Sequence, residues 1–283
     1  MDSLIERLPA DSFVSKQIPH YEDIRGLHEW FDRLSFNADL ILSGEKGNGK
    51  SLALAAYCAQ KKLPSVVFDC SEDVRRAQLF GMFVLRGDRT PFVLGPLPTA
   101  IEVANEVGQC VLVLEELNSL SPAAQKLVNP LTDFRKRIEL PEAQRVFQLK
   151  ESARLWVCAT MNVASYAGVH ALNEDLKSRF RIISVGYPDT KAEQKLVASL
   201  LEKKDLRIAE TVLRKVFTLA KESRQEQFGY ALSTRDVVQV AEDIARHGVD
   251  RGLWLMSGKF DEAFRATVKK RVTSIFGPVT DLW

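Results

Sequence analysis

The chain has 283 residues, of which 46% are hydrophobic and 27% are charged, and its formal net charge is +2. This composition is typical of a folded globular protein of one large or two modest domains, and it excludes an intrinsically disordered chain. The charge is too small to indicate nucleic-acid binding by itself, and no apolar run approaches the roughly 20 residues of a membrane span.

The cysteines and the first residues indicate the compartment. The four cysteines are separated in sequence, lie in apolar patterns and form no C-x-x-C pair: Cys58, Cys70, Cys110 and Cys158. We expect reduced core residues rather than metal ligands or disulfides. Because the amino terminus lacks the basic-then-apolar order of a signal peptide, we expect a cytoplasmic protein.

The first predicted elements are a helix and a strand. Apolar residues at three- and four-residue spacing predict a helix over Tyr21 to Leu34. Its aromatic side chains are expected to pack in the core rather than to stack on an adenine. The apolar run Leu40 to Leu42 then predicts a buried strand.

A sequence matching G-x-x-x-x-G-K-[ST] follows this strand and opens an alanine-rich helix over Leu52 to Gln60: Gly44, Glu45, Lys46, Gly47, Asn48, Gly49, Lys50 and Ser51. Strand, loop and helix in this order predict a phosphate-binding loop, because glycines let backbone N–H groups surround a triphosphate at the positive end of a helix. Lys50 is predicted to reach the β- and γ-phosphates and Ser51 to hold Mg²⁺. The predicted nucleotide cradle is Gly44 to Leu52.

Two carboxylates end a later strand. After a strand over Pro64 to Cys70, a hairpin over Leu79 to Pro96 and a helix over Leu97 to Val107, the run Cys110 to Leu114 predicts a buried strand that ends in Glu115 and Glu116. A buried strand aims these acids at the phosphate loop. We predict that Glu115 approaches Mg²⁺ through water and that Glu116 faces the attacking water.

The rest of the chain changes from α/β to all-helical. A helix from Ser121 to about Phe134, a hairpin over Arg135 to Leu149 and a strand over Arg154 to Asn162 come first. Asn162 is placed to orient water beside a γ-phosphate, but a purely structural strand end is an equal alternative. A short helix over Leu172 to Phe180 and a strand over Ile182 to Pro188 follow. From Asp189 the pattern predicts only helices, namely Lys191 to Lys203, Ile208 to Arg224, Ser233 to His247 and Lys259 to Phe276.

This order of motifs resembles an AAA+ ATPase. The two hairpins are similar to features of the MoxR group. Three short sequence segments resemble its CbbQ/NorQ/gas-vesicle branch: Gly95 to Leu97, Asn129 to Arg135 and Ala159 to Asn162. The resemblance spans roughly residues 20 to 276. It implies an α/β P-loop NTPase three-layer sandwich with a parallel sheet over residues 1–188 and a small all-helical lid domain over residues 189–283.

The resemblance also implies roles and partners. Glu116 would be the catalytic carboxylate, Asn162 the first sensor and Arg235 the second sensor. Arg179, with Arg181 as its rival, would be the arginine finger offered to a neighbouring subunit. The resemblance implies ATP and Mg²⁺ as cofactors and a ring, which in this family has six subunits. The family usually has Asp where this chain has Glu115, which leaves the hydrolysis rate open.

Three functions remain open from the sequence. The first is a ring ATPase that remodels, activates or assembles a partner protein. The second, not favoured, is a nucleic-acid motor using the basic clusters Arg135 to Arg137 and Lys269 to Arg271, and the third is an ATP-gated assembly module with weak hydrolysis. The arms of the first hairpin either contact a substrate or pack on the core and on neighbouring subunits; the candidate contact residues are Phe83, Leu85, Arg86 and Phe92.

Overall fold

The computed structural model describes residues 5–7, 18–163, 170–225 and 228–279. The chain divides into two compact units. Unit 1 comprises Met1–Gly44 and Lys50–Val185, and unit 2 comprises Glu45–Gly49 and Gly186–Trp283. The tip of the predicted phosphate loop is therefore grouped with the carboxy-terminal helices. The predicted domain boundary at residues 188–189 remains a prediction, and residues 1–4, 8–17, 164–169, 226–227 and 280–283 of the predicted domains lie outside the described residues.

Unit 1 is an α/β structure. In chain order its strands are β1 (Ile5–Arg7), β2 (Leu40–Ser43), β3 (Ser65–Asp69), β4 (Gly81–Phe83), β5 (Phe92–Leu94), β6 (Gln109–Glu115), β7 (Arg137–Leu140), β8 (Arg145–Gln148), β9 (Arg154–Met161) and β10 (Arg181–Ser184). Its helices are α1 (Leu27–Leu34), α2 (Lys50–Gln60), α3 (Arg76–Phe80), α4 (Pro96–Val107), α5 (Pro122–Gln125), α6 (Asn129–Thr132) and α7 (Glu174–Arg179).

A five-stranded parallel sheet of order β10-β2-β9-β6-β3 is the centre of unit 1. Successive side chains of β6 point to opposite faces, as strand geometry requires. Leu112 and Leu114 pack in a core with α4, whereas Val111 and Val113 pack in a second core with α1 and α2. Helices therefore cover both faces of the sheet, and the predicted three-layer α/β sandwich is confirmed.

Both predicted hairpins are present in unit 1. In the first, β4 and β5 pair antiparallel, and Arg86 and Arg89 exchange backbone hydrogen bonds around Gly87, which has φ 62. In the second, β7 pairs antiparallel with β8. The sequence did not predict β1, which adds to the first hairpin in parallel with β5.

Two predicted helices in unit 1 have the wrong bounds. The first begins at Leu27 rather than Tyr21, because the Asp23 carboxylate accepts hydrogen bonds of 2.8 Å from the N–H groups of Leu27 and His28 and so fixes the helix start. The helix predicted from Ser121 to Phe134 is broken into α5, a 3₁₀ turn and α6. Pro130 lacks the N–H group that a continuous helix would need there.

Unit 2 contains the loop tip Glu45–Gly49 and, in its described carboxy-terminal part, helices joined by loops, with no strand. The helices are α8 (Thr190–Lys203), α9 (Glu210–Ser223), α10 (Thr234–His247), α11 (Val249–Ser257) and α12 (Glu262–Phe276). The sequence missed α11, which follows α10 after Gly248 and packs closely against it, since a Cβ on Gly252 would overlap the Ile244 backbone. The predicted all-helical lid is otherwise confirmed. Within the described ranges, no helix is long and apolar enough to cross a membrane.

Candidate nucleotide-binding site

The candidate site in unit 1 lies where three adjacent strands end. The carboxyl ends of β2, β9 and β6 are neighbours in the sheet, and they lead to Gly44, Asn162 and Glu116 respectively. The Gly44 N–H donates to the Met161 carbonyl at 3.2 Å, which ties the start of the phosphate loop to the end of β9. Ligands of open parallel sheets bind at this edge.

Lys50 and Asn162 meet inside this site. Lys50 is the first residue of α2 and is 6% exposed; its Nζ donates to the Gly44 carbonyl at 2.8 Å and to Asn162 Oδ1 at 3.4 Å. Asn162 is equally buried, and its Nδ2 has no hydrogen-bond partner within the described part of the chain. An ammonium group and a spare amide donor side by side suit the oxygens of a phosphate group.

Ser51 and Glu115 also come together. The Ser51 hydroxyl donates to Glu115 Oε2 at 2.7 Å. Burial raises the pKa of Glu115, the Ser51 hydrogen bond acts in the opposite direction, and the nearby charges of Asp69 and Glu116 raise the pKa further. A bound cation would relieve this crowding of negative charge.

The donor set fits Mg²⁺ held together with a nucleotide. Mg²⁺ prefers oxygen ligands, and it usually combines one or two protein groups with water and substrate phosphates. Ser51 and Glu115 supply two such oxygens. Among the described residues, no group of three or more His, Cys, Asp and Glu side chains could hold a metal by itself. A Mg²⁺ ion at this point would therefore depend on phosphate and water oxygens.

Glu116 has an unusual backbone conformation. Its φ of 53 and ψ of 44 lie in the left-handed region, which non-glycine residues rarely adopt. Its N–H donates to Thr160 Oγ1 at 3.1 Å, and its side chain is exposed. Residues held in sparsely populated conformations cluster at functional sites, so the strain supports the catalytic role predicted for Glu116.

The tip of the phosphate loop contacts the start of α10 within unit 2. Gly47 has φ 72, and a Cβ at this position would overlap Oγ of Ser233. The exposed residue Arg235 donates its N–H to the Gly47 carbonyl at 3.4 Å. The predicted second sensor therefore lies beside the loop tip. Of the other predicted cradle residues, Asn48 is buried, Lys46 is exposed, and three are intermediate in exposure, namely Glu45, Gly49 and Leu52.

A capping network holds this end of α10. The Asp236 carboxylate accepts hydrogen bonds from the N–H and hydroxyl of Ser233 and from Lys259 Nζ. Burial acts to raise the pKa of Asp236, but the bonds from Lys259 and Ser233 outweigh it and the pKa lies below its usual value. Arg235 lies between Ser233 and Asp236 in the sequence, so the hydrogen bonds of these two residues fix the backbone position of Arg235.

The two candidate fingers lie at the other edge of the sheet. Arg179 ends α7, and its side chain approaches Asp133 Oδ2 at 3.7 Å in a cleft that Arg135 and Arg137 also line. Arg181 is exposed and begins β10. In unit 1 the strand register pairs Arg181 with Leu40, at the start of β2, whereas Gly44 follows the end of β2. The structure therefore does not bring either arginine to Lys50.

Two residues that hold the site were missed from the sequence. Thr160 accepts from the Glu116 N–H, and Asn118 bonds to the backbone of Asn162. Each lies two residues from a predicted site residue. The sequence feature that could have identified Thr160 and Asn118 is a short polar side chain close to the end of a buried strand.

Comparison with protein families gives one match. The family described as the AAA domain of the dynein-related subfamily matches residues 39–180, half of the chain. These residues run from the start of β2 to the end of α7. They contain Lys50, Ser51, Glu115, Glu116, Asn162 and Arg179, whereas Arg181 lies one residue beyond the match.

Individual proteins that resemble the chain share about a quarter or less of its residues. The chain is 24% identical to an uncharacterised protein of Staphylococcus haemolyticus over 77% of this chain and 82% of that protein. It is 24% identical to protein CbbQ of Hydrogenophilus thermoluteolus over 66% of this chain and 68% of CbbQ. The crystal structure of NtrX from Brucella abortus in complex with ADP superposes with a TM-score of 0.54 at 13% identity, covering 81% of this chain and 51% of NtrX. This last likeness concerns the fold.

Proposed function

Because the chain belongs to the AAA domain family of the dynein-related subfamily, we propose that it hydrolyses ATP in a ring whose active sites are each completed by a neighbouring subunit, and that it uses this cycle to remodel a partner protein. The similarity to CbbQ bears out the predicted resemblance to MoxR-type AAA+ ATPases. One observation carries the proposal: the adjacent residues Lys50 and Ser51 bond to Asn162 and Glu115 respectively, at the carboxyl ends of neighbouring strands.

Each residue of this cluster has a role in the proposed hydrolysis. Lys50 Nζ binds phosphate oxygens in place of the Gly44 carbonyl, and Asn162 Nδ2 donates to the γ-phosphate or to the attacking water. Glu116 accepts a proton from that water and orients it. Mg²⁺ held by Ser51 and Glu115 would supply positive charge to the phosphate oxygens.

The position of Arg179 supports a contribution from a neighbour. Arg181 pairs with Leu40, and the phosphate loop begins four residues later at Gly44. At about 3.3 Å per residue, the distance along the strand between these two points is about 13 Å. An arginine side chain at the end where Arg181 lies cannot cross that distance to its own Lys50. It can serve the nucleotide of another subunit, and head-to-tail contacts of this kind close into rings.

The first hairpin supplies a surface for a partner protein. Phe83 is 57% exposed and Leu85 is 76% exposed, whereas Phe92 is buried and packs edge-to-face on Phe83. Arg86 forms an ion pair with Glu6. Of the four candidate contact residues, Phe83 and Leu85 are therefore the ones we propose to touch a client.

The nucleic-acid alternative has little support in the basic clusters. Arg135 makes two hydrogen bonds to Asp133, Lys136 pairs with Asp39, and Arg137 pairs with Glu139. In the second cluster, Arg271 pairs with Glu222. Acidic partners that already neutralise these cations would have to be displaced by a phosphate backbone, so each cluster would bind nucleic acid weakly.

Steady-state phosphate release by the wild-type chain and by Glu116→Gln tests the proposal. We expect wild-type turnover with Mg-ATP, nucleotide-dependent assembly in analytical ultracentrifugation, and a Glu116→Gln variant that binds ATP but releases phosphate at least about 100-fold more slowly. A wild-type chain that binds ATP without turnover would instead support the assembly-module alternative. Equal turnover by Glu116→Gln would refute the assignment of Glu116.

A further inference from the structure

Asn118 makes an unusual pair of contacts with Asn162. It lies in the 3₁₀ turn Leu117–Ser119, directly after Glu116, and is 3% exposed. Its Nδ2 donates to the Asn162 carbonyl at 2.8 Å, and its Oδ1 accepts the Asn162 N–H at 3.3 Å. One primary amide therefore satisfies both backbone groups of Asn162.

These contacts continue the sheet beyond its last backbone pairs. The ladder between β6 and β9 ends at Leu114 and Ala159, and that between β2 and β9 ends at Ser43 and Met161. Asn162 lies one residue further, where its buried backbone groups need other partners. The Asn118 side chain takes the place of a neighbouring strand.

A second cross-strand bond runs beside the first. The Glu116 N–H donates to Thr160 Oγ1 at 3.1 Å, two residues before Asn162. The turn that carries Glu116 is thus joined to the end of β9 by side chains at two points. Since Glu116 has a strained backbone, the bond to Thr160 helps to hold a conformation that it would not keep by itself.

We propose that Asn118 is a positioning residue for ATP hydrolysis, which sets the place of Asn162 relative to Lys50 and Glu116 without touching the substrate. The inference rests on the proposed function, because it assumes hydrolysis at this site. Asn162 Oδ1 faces Lys50 at 3.4 Å while its Nδ2 stays available for substrate. A shift of about 1 Å in such a group can cost about 100-fold in rate.

The chain contains a matched control for this proposal. Asn105 makes the same two kinds of contact on another strand end: its Nδ2 donates to the Gln148 carbonyl at 2.9 Å, and its Oδ1 accepts the Lys150 N–H at 2.9 Å. It lies on α4 and contacts none of the site residues described above. Asn105→Ala therefore removes a pair of hydrogen bonds of the same two kinds, at a less buried position and on two residues rather than one, away from Asn162.

The test compares turnover, binding and stability of wild type, Asn118→Ala and Asn105→Ala. We expect Asn118→Ala to lower kcat by about 10- to 100-fold while its Kd for fluorescent ADP stays within about threefold of wild type. Asn105→Ala should keep kcat within about twofold. If Asn118→Ala does not fold, Asn118→Asp is judged by the same criteria; it keeps the size and the Oδ1 acceptor but replaces the Nδ2 donor with an oxygen and adds a negative charge.

A double-mutant cycle with Asn162→Ala separates positioning from general loss of structure. If Asn118 acts through Asn162, Asn118→Ala should change kcat by less than about twofold in the Asn162→Ala background. Fully multiplicative effects, or a folded Asn118→Ala with wild-type kcat, would overturn this inference and leave the proposed function intact. A wild-type chain without any phosphate release would overturn both.

Discussion

The Ser51 hydroxyl donates a 2.7 Å hydrogen bond to the Glu115 carboxylate. The AAA+ family usually has an aspartate at the position of Glu115. The contact shows that the longer glutamate side chain still reaches Ser51, which is predicted to hold Mg²⁺. The two oxygens come from the start of α2 and the end of β6, neighbouring elements of one site. The glutamate is thus compatible with a Mg²⁺ site.

Changes at Glu115 should alter the Mg²⁺ requirement more than nucleotide affinity. Glu115→Gln keeps the size and the hydrogen bond but removes the charge, so we expect the Mg²⁺ concentration for half-maximal turnover to rise about 10- to 100-fold. Glu115→Asp retains the charge, so we expect a smaller rise in the Mg²⁺ concentration for half-maximal turnover. Titration of phosphate release with Mg²⁺ at saturating ATP measures this, and an unchanged titration for Glu115→Gln would remove Glu115 from the metal site.

The two inner glycines of the phosphate loop should respond differently to alanine. Gly47 and Gly49 both have positive φ, 72 and 78, so alanine at either position costs roughly 1–2 kcal/mol of conformational energy. At Gly47 the new Cβ would also overlap Ser233, whereas nothing lies within 4 Å of a Cβ on Gly49. We therefore expect Gly47→Ala to lower the thermal unfolding midpoint further than Gly49→Ala in calorimetry; an equal decrease would contradict the loop-to-α10 contact.

The network at Asp236 predicts a pH-dependent contribution to stability. Its pKa is lower in the folded state than the usual value of about 3.9, so the carboxylate stabilises the fold fully above that value and progressively less as the pH falls through the lowered pKa. Asp236→Asn should cost about 1–3 kcal/mol at pH 7. In urea unfolding this cost should shrink below about pH 4. Asp243→Asn, further along α10, lacks these contacts and serves as the control; a pH-independent cost at Asp236 would contradict the assignment.

The sequence predicted the positions of residues where a motif is compatible with a single local structure. The glycine-lysine-serine loop between a strand and a helix, and a buried strand ending in two acids, predicted that Lys50, Ser51, Glu115 and Glu116 lie at one edge, because parallel strands place their carboxyl ends there. The same logic placed Asn162. Their roles in binding and catalysis stay predictions. The strand β6 is buried on both faces, and its successive side chains belong alternately to the two cores.

The errors in the helix bounds came from local backbone hydrogen bonding, which a hydrophobic pattern does not show. The Asp23 cap moved the start of α1, and the missing N–H of Pro130 broke a predicted helix. Periodicity within a segment does not report either effect. Asn118 was missed for a different reason, since its partner Asn162 is 44 residues away in the sequence.

The claim that a neighbour completes each active site is tested most directly by mixing two inactive variants. Lys50→Ala should lose nucleotide binding but keep its finger, and Arg179→Ala should bind nucleotide but lose about 10³-fold or more in turnover. In a random equal mixture, about one quarter of head-to-tail interfaces join an intact site to an intact finger. The mixture should therefore regain about a quarter of wild-type phosphate release. Mixed rings as inactive as the separate variants would contradict the account, and complementation by Arg181→Ala instead of Arg179→Ala would reassign the finger.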